Sequence, residues 1–386
     1  MKKGILVITE LFLPTKGGTA IWFDEVYRRL GGKEIHIVTA AVGGQEAIDA
    51  NHPNSIERVD LRRVWWLRPE SLGMYIKLFF RAFRICLTQK IDVIHAGRVL
   101  PEGLVALAIA KIFRREVVVY AHGEEITTWR QPGKFRAMRF TYRHVDKVVA
   151  NSDFTYAKLL DLGVHKDCIV QIFPGVDVAR FKPDLPFSDL YQKIGMKRDQ
   201  HLILSVGRLS RRKGFDQVIK ALPMLLQRGL DIQYTLIGIG EDADYLVSLA
   251  EANGVADRVH FPGHVDALEL PRWYNACSIF AMPNREIQGD TEGFGMVFLE
   301  AAACGKASVA GMAGGTASAV DDGLTGLRVD GESLEAVVRA LEMLLRDDQM
   351  ASQLGSQALE RVRAQFSWAA VAERTATDIC QGNSGK

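Results

Sequence analysis

Short apolar runs alternate with amphipathic stretches along most of the chain. Residues 4–9, 35–39, 93–95, 117–120 and 147–150 are brief runs rich in Ile and Val, and helical windows such as 103–113 lie between them. Continuous β-branched runs, without a polar residue at every second place, mark strands covered on both faces, the habit of parallel sheets. Right-handed crossovers then predict a doubly wound sheet. A second series follows at 202–206, 234–237, 259–261, 279–282 and 307–310. Between the series stand Pro174, Pro183, Pro186 and Gly195, which read as a linker. The predicted fold class is α/β, with two doubly wound, Rossmann-like domains facing a cleft. Ligands of such sheets bind beyond the carboxyl ends of the strands, so the loops there are the places to look for chemistry.

Length and composition fit that picture. The chain has 386 residues, 48% hydrophobic and 24% charged, as expected of two globular domains. The net charge of +2 argues against a dedicated nucleic-acid binder. It is unevenly placed: 27 Lys and Arg face 19 Asp and Glu over residues 1–180, against 21 and 27 over the remainder. A basic first half suits an anionic partner, although surface composition alone could produce it. Five scattered cysteines without metal-like spacing suit reduced thiols in a cytoplasmic protein. The apolar run after Met1 is short and interrupted by Glu10, so no signal peptide is expected, and no stretch of 18 apolar residues predicts a membrane span.

Four loop motifs carry candidate chemistry. In Glu292-Gly293-Phe294-Gly295-Met296-Val297-Phe298-Leu299-Glu300 two carboxylates flank a glycine pair that opens an apolar helix. A wholly helical spacing of eight would not align them, so Glu292 is placed in the loop and Glu300 two turns inside the helix. Free N–H groups at such a helix start attract anions. A solvated Glu300 is the plainer alternative. Gly207-Arg208-Leu209-Ser210-Arg211-Arg212-Lys213-Gly214 puts four cations in six residues after a strand, which suits a diphosphate, or is an ordinary basic surface loop. Gly17-Gly18-Thr19 lacks the P-loop pattern but could admit a phosphate at a helix start, or could be a plain turn. His122-Gly123 ends a strand, where the histidine is either cleft-facing or structural. Gly238-Ile239-Gly240 mimics a dinucleotide fingerprint, but no acidic residue closes the next strand, which argues against a dehydrogenase.

Together these segments resemble the retaining glycosyltransferases of family four, whose GT-B fold joins two Rossmann-like domains. The resemblance runs over nearly the whole chain. It rests on Gly17-Gly18, His122-Gly123, Ala150-Asn151-Ser152, Pro174-Gly175-Val176-Asp177, Gly207-Arg208-Leu209, Lys213-Gly214, the Glu292/Glu300 pair, Gly314-Gly315 and Asp322-Gly323-Leu324-Thr325-Gly326. Ala281-Met282-Pro283-Asn284-Arg285 and the segment 290–300 are most similar to bacterial phosphatidylinositol-mannoside mannosyltransferases.

The resemblance implies an acceptor-binding domain over 1–180, a nucleotide-sugar-binding domain over 181–365, and a C-terminal helix within 366–386 that packs back toward the first domain. It also implies roles. Arg208 and Lys213 would neutralise the donor diphosphate, in place of a metal. Glu292, with the backbone amides of Phe294 and Gly295, would hold hydroxyls of the transferred sugar, Glu300 would grip the ribose diol, and Met296 and Val297 would belong to the donor-binding set. His122 would stand near the sugar, Gly18 would bring its backbone to the phosphates, and Gly17 and Gly207 would belong to the donor-binding set. Retention would proceed without an enzyme nucleophile. The implied donor is a nucleotide-diphosphate sugar, GDP-mannose first and UDP-glucose or UDP-N-acetylglucosamine behind it. The acceptor is a lipid or glycan hydroxyl, and no cofactor is needed. One departure is that Gly314-Gly315-Thr316-Ala317-Ser318 carries a serine where many relatives have a glutamate. A sugar-nucleotide epimerase and a non-catalytic sugar-nucleotide-binding subunit are the alternatives.

Aromatic residues mixed with Arg68, Lys77, Arg81 and Arg84 across 64–84, and a basic stretch through Arg130, Lys134, Arg136, Arg139 and Arg143, suggest peripheral contact with an anionic membrane at its cytoplasmic face. An ordinary core-facing helix over 75–83 with snorkelling arginines is the alternative.

Overall fold

The computed structural model of the protein describes residues 3–15, 17–62, 70–197 and 199–380. Two compact units emerge: Met1–Pro174 with Trp368–Lys386, and Gly175–Ser367. Arg68 and its neighbours from 63 to 69 lie outside the described residues.

The first unit is built on a seven-stranded sheet: β1 (Ile5–Ile8), β2 (Ile35–Ala40), β3 (Ser55–Val59), β4 (Val93–Ala96), β5 (Glu116–Ala121), β6 (Lys147–Ala150) and β7 (Ile169–Gln171). The strand order is β3-β2-β1-β4-β5-β6-β7 and every pairing is parallel. Ile5 pairs with Ile35 on one side and Val93 on the other, which makes β1 central. Its four residues are buried, as burial on both faces requires. The order reverses between β1 and β4, so the crevice beyond Ile8 and Ala96 is this unit's topological switch point. Helix Trp368–Thr375 belongs to this unit and packs on helix Gly18–Leu30.

The second unit carries a six-stranded parallel sheet: β8 (His201–Val206), β9 (Ile232–Ile237), β10 (Val259–Gly263), β11 (Ile279–Met282), β12 (Ser308–Gly311) and β13 (Gly326–Val329). Its order, β10-β9-β8-β11-β12-β13, reverses between β8 and β11.

The doubly wound α/β class is thus what the chain adopts, twice. Three strands escaped the sequence pattern: β3, β7 and β13. All three are sheet edges. An edge strand is covered on one side only and tolerates polar residues and short length. In β3, Ser-Ile-Glu-Arg-Val, no residue is fully buried, and β7 is only three residues long.

Candidate functional site

In the second unit the loops after β8 and β11 converge. Gly214, at φ +73°, closes the turn Arg211–Lys213. A Cβ there would lie 2.0 Å from the Pro283 carbonyl oxygen, just past β11, so only glycine lets the two loops touch. Arg285 N–H donates to the Arg212 carbonyl at 2.8 Å, and the buried Arg285 guanidinium pairs with Asp216 at 3.0 Å, fixing the same junction from below.

On this base Lys213 is buried and its ammonium contacts Glu292 Oε2. Arg212 Nη1 donates to the same oxygen at 2.9 Å, and Arg212 Nε stands 3.2 Å from Asp290. Burial alone would push the Glu292 carboxyl up, but Lys213 and Arg212 outweigh it and hold the acid down at about 2. Glu292 Oε1 has no hydrogen-bond partner among the described residues and is open to a ligand hydroxyl. Gly315 N–H donates to the Glu292 carbonyl at 2.7 Å, so Gly314-Gly315 props the acid's backbone. Ser318, within the single turn of helix that follows, is buried, and its carbonyl accepts from Arg361 at 3.0 Å.

Gly295, at φ +93°, turns the chain into helix Met296–Ala303. Phe294 is buried, while Met296 and Val297 are half-buried in the first turn, whose N–H groups lack intrahelical partners by construction. Glu300 sits one turn in, and Tyr274 OH donates to its Oε2 at 2.7 Å. Burial raises the Glu300 carboxyl to about 7, against the opposing pull of the Tyr274 hydrogen bond and the Arg180 charge.

Arg208 lies apart from this cluster. Its guanidinium is exposed and pairs with Glu241 at 2.9 Å. Gly207 continues β8, its N–H bonded to the Ile237 carbonyl at 3.0 Å.

The remaining candidates belong to the first unit. Gly17, at φ +140°, is exposed and Gly18 begins helix Gly18–Leu30. His122 follows β5, and its Nε2 is 2.8 Å from the Gly97 carbonyl, past β4. A carbonyl only accepts, so Nε2 carries the proton and Nδ1 keeps its lone pair. Burial lowers the imidazole pKa and favours this neutral form. Trp22 meets the ring edge-on, and Glu125 Oε1 accepts from His122 N–H at 3.0 Å and from Tyr142 OH. A recess of about 120 Å³ opens here, lined by Thr19, Arg98, His122, Glu124, Glu125 and Trp129.

Four contributors had been passed over. Arg212 stands in the basic loop and Glu125 in the motif that holds His122, without a role of its own in either reading, while Tyr274 and Arg98 carry no local motif; tertiary proximity reveals them. Among the described residues, no group of three or more His, Cys, Asp or Glu side chains is placed to hold a metal ion, and no helix is long and apolar enough to cross a membrane.

Comparison with known proteins adds to this geometry. A family model described as "Glycosyltransferase Family 4" matches residues 16–180, and one described as "Glycosyl transferases group 1" matches 187–361. The chain is 30% identical, over 98% of both chains, to the GDP-mannose-dependent alpha-(1-6)-phosphatidylinositol monomannoside mannosyltransferase of Mycobacterium tuberculosis. It is 30% identical to a D-inositol 3-phosphate glycosyltransferase of Frankia alni, over 92% of each chain. Among solved structures, Anabaena HepE in complex with UDP and glucose superposes with a TM-score of 0.82 at 21% identity, covering 98% of this chain and all of that one. The last likeness is one of fold.

Proposed function

The chain belongs to the family 4, group 1 glycosyltransferases and is a nucleotide-sugar glycosyltransferase, and from that premise we propose that it moves mannose from GDP-mannose, with retention and without a metal, to a hydroxyl of a phosphatidylinositol-type or glycan acceptor. The observation that carries the donor half of this reading is the Lys213–Glu292–Arg212 cluster at the start of helix Met296–Ala303. It combines cations for a diphosphate with a carboxylate for sugar hydroxyls. Charge that grows on the leaving diphosphate as the glycosidic bond breaks is best met by groups already fixed in place, and Lys213 and Arg212 are fixed by Glu292 and Asp290. Arg208 joins them by exchanging Glu241 for phosphate. An exposed ion pair is worth roughly 0–1 kcal/mol, so that exchange costs little. Glu292 Oε1 takes a hydroxyl of the sugar, and Glu300 takes the ribose diol through the oxygen that Tyr274 leaves open.

The acceptor half is assigned to the first unit. His122, neutral with Nδ1 unprotonated, orients a hydroxyl or the forming charge of the sugar. No enzyme nucleophile is invoked: the leaving phosphate takes the acceptor proton as the new bond forms on the same face, which retains configuration. The cations supply the countercharge a divalent metal would bring.

We assign the protein to the cytoplasm, at the inner face of the cell membrane. Helix Leu72–Thr88 supports this. Gly73, Met74, Leu78, Ala82 and Ile85 are buried on one side, while Ile76, Phe80 and Leu87 are exposed on another, with Lys77 and Arg84 among them. The helix therefore does pack a core face, but Phe80, 66% exposed, is not part of it. An apolar ridge edged with cations suits an anionic lipid surface.

Incubation with GDP-mannose, UDP-glucose and UDP-N-acetylglucosamine, with phosphatidylinositol or lipid extract as acceptor, tests the reading. Sugar transfer with release of GDP, an unchanged anomeric configuration and persistence in EDTA are expected. Nucleotide binding without turnover, or activity lost in EDTA and restored by Mg²⁺, would contradict it.

A further inference from the structure

The motif Ala150-Asn151-Ser152 has no part in the reaction described above, yet its polar side chains are committed around His122. Asn151 follows β6, whose last residue, Ala150, pairs with Ala121 of β5. Beyond that pair His122 takes its backbone partners from side chains. Asn151 Nδ2 donates to the His122 carbonyl at 3.1 Å, and the His122 N–H donates to Glu125 Oε1 at 3.0 Å. The ring is then held by the Gly97 carbonyl at Nε2 and by the edge-on Trp22. An imidazole has only two side-chain torsions, so its reach to Gly97 depends on where the backbone of His122 is fixed.

The Asn151 amide is itself oriented from beneath. Thr155, in the first turn of helix Asp153–Asp161, donates its hydroxyl to Asn151 Oδ1 at 2.7 Å. A hydroxyl proton seeks the amide oxygen and the His122 carbonyl only accepts, so the two bonds together turn Nδ2 toward His122. Asn151, Ser152 and Thr155 are buried, where a polar group that loses its partner is costly. Helix capping does not need the Thr155 hydroxyl: the cap is Ser152 Oγ, which accepts from the Thr155 N–H at 3.2 Å. Gly123, at φ +92°, passes directly over the same hydroxyl, and a Cβ there would lie 2.6 Å from Thr155 Oγ1. One buried hydroxyl therefore supports both residues of the His122-Gly123 turn.

Resting on the transferase reading above, we infer that Thr155 and Asn151 are positioning residues for His122: the Thr155 hydroxyl orients the Asn151 amide, the amide fixes the His122 carbonyl, and the ring is thereby held in one orientation with Nδ1 unprotonated. Both act through His122 alone. Misplacing a reacting group by about 1 Å can cost on the order of 10²-fold in rate, so a relay of this kind matters to turnover well beyond the strength of its bonds.

The test uses the full-length protein. Thr155→Val keeps the shape and the capping N–H but removes the hydroxyl, Thr155→Ser keeps the hydroxyl, and Asn151→Ala removes the amide. With GDP-mannose and the lipid acceptor, kcat is expected to fall roughly 10-fold in Thr155→Val and 10–100-fold in Asn151→Ala, and to stay within about threefold of wild type in Thr155→Ser. The donor KM should move less than about threefold, since the groups assigned to the diphosphate and ribose belong to the second unit. In a His122→Gln background neither change should lower kcat further, because coupled residues are not additive. Histidine ¹⁵N spectra, with His122 identified by its loss in His122→Gln, read the ring without turnover. The wild type is expected as a single neutral Nε2–H tautomer. Thr155→Val and Asn151→Ala are expected as tautomer mixtures that titrate at higher pH, as the ring gains the water that burial now denies it. A wild-type ring protonated on Nδ1, a wild-type tautomer in Thr155→Val, equal losses in Thr155→Ser and Thr155→Val, or an added loss in the His122→Gln background would each overturn the assignment. If Asn151→Ala does not fold, the two Thr155 variants decide. If no donor is turned over, the transferase reading fails, while the tautomer comparison still decides whether the relay holds the ring.

Discussion

Arg212 Nη1 reaches Glu292 Oε2 at 2.9 Å and shares that oxygen with Lys213, tying the loop after β8 to the loop that opens helix Met296–Ala303. Two cations on one carboxylate oxygen leave the other oxygen free and the cluster net positive, before Asp290 is added at its rim. Such a cluster can receive a diphosphate without rearranging its own core. Lys213→Ala is expected to lower kcat/KM roughly 10²–10³-fold, the loss of one preorganised contact to developing charge. Arg208→Ala should act similarly if Arg208 leaves Glu241 on donor binding. Initial rates across a donor titration check both, and a change below about threefold would mean that these cations do not meet the charge that develops on the donor.

Glu300 gives the donor a pH dependence of definite sign. Its carboxyl is raised to about 7, so much of it is protonated near neutrality and gains its second acceptor oxygen only as pH rises. If it grips a diol as carboxylate, nucleotide affinity should increase from pH 5.5 to 8 and level off. Stability of the free protein should run the other way. A raised acid favours the fold below about 4.5 and loses that contribution as pH climbs through 7. Tyr274→Phe removes a hydrogen bond that favours the charged form and should move the binding midpoint upward; Glu300→Gln should flatten the profile and weaken binding. Calorimetric titration of GDP across this range reads all three outcomes.

Most of the frame and part of the candidate site were legible in the sequence, for physical reasons that differ. Central strands such as β1 and β8 are buried on both faces, and their unbroken apolar runs announce it. Edge strands β3, β7 and β13 answer to fewer neighbours and leave a weaker pattern. Lys213 and Glu292, 79 positions apart, were legible because each sits in a glycine-marked loop at a strand end. Tyr274 and Arg98 were not, because nothing in their immediate neighbours distinguishes them; Glu125 lies in the His122-Gly123 motif, but its bonds to His122 N–H and Tyr142 OH appear only in the fold. Tyr274 acquires its role only when helix Leu270–Ala276 lays its hydroxyl against Glu300. Arg208 illustrates the opposite case: a legible motif whose side chain rests on an exposed glutamate.

The helix Leu72–Thr88 separates membrane contact from core packing. Leu78 and Ala82 are wholly buried and should tolerate no polar replacement, whereas Ile76 and Phe80 are exposed. Ile76→Ser with Phe80→Ser is therefore expected to leave the melting temperature within a degree or two, since surface substitutions usually stay within about 0.5 kcal/mol. The same pair should reduce flotation with anionic vesicles severalfold. Raising salt should weaken flotation of the wild type, because Lys77 and Arg84 act through screened charge. Indifference to lipid charge in the wild type would remove the membrane from the account.

Gly214 offers the sharpest separation of architecture from chemistry. It carries no side chain and no charge, yet it sits at φ +73° with the Pro283 carbonyl 2.0 Å from where a Cβ would be. Gly214→Ala must either push β11's following loop away or twist the turn that aims Lys213. Left-handed strain alone costs on the order of 1–3 kcal/mol in a non-glycine residue, and the clash adds to it. A fall in melting temperature of several degrees is expected, together with a loss of kcat/KM approaching that of Lys213→Ala. If Gly214→Ala melts lower but keeps wild-type kinetics at a temperature where it is folded, the position of Lys213 does not depend on this contact, and the loop is held by the Arg285–Arg212 backbone bond instead.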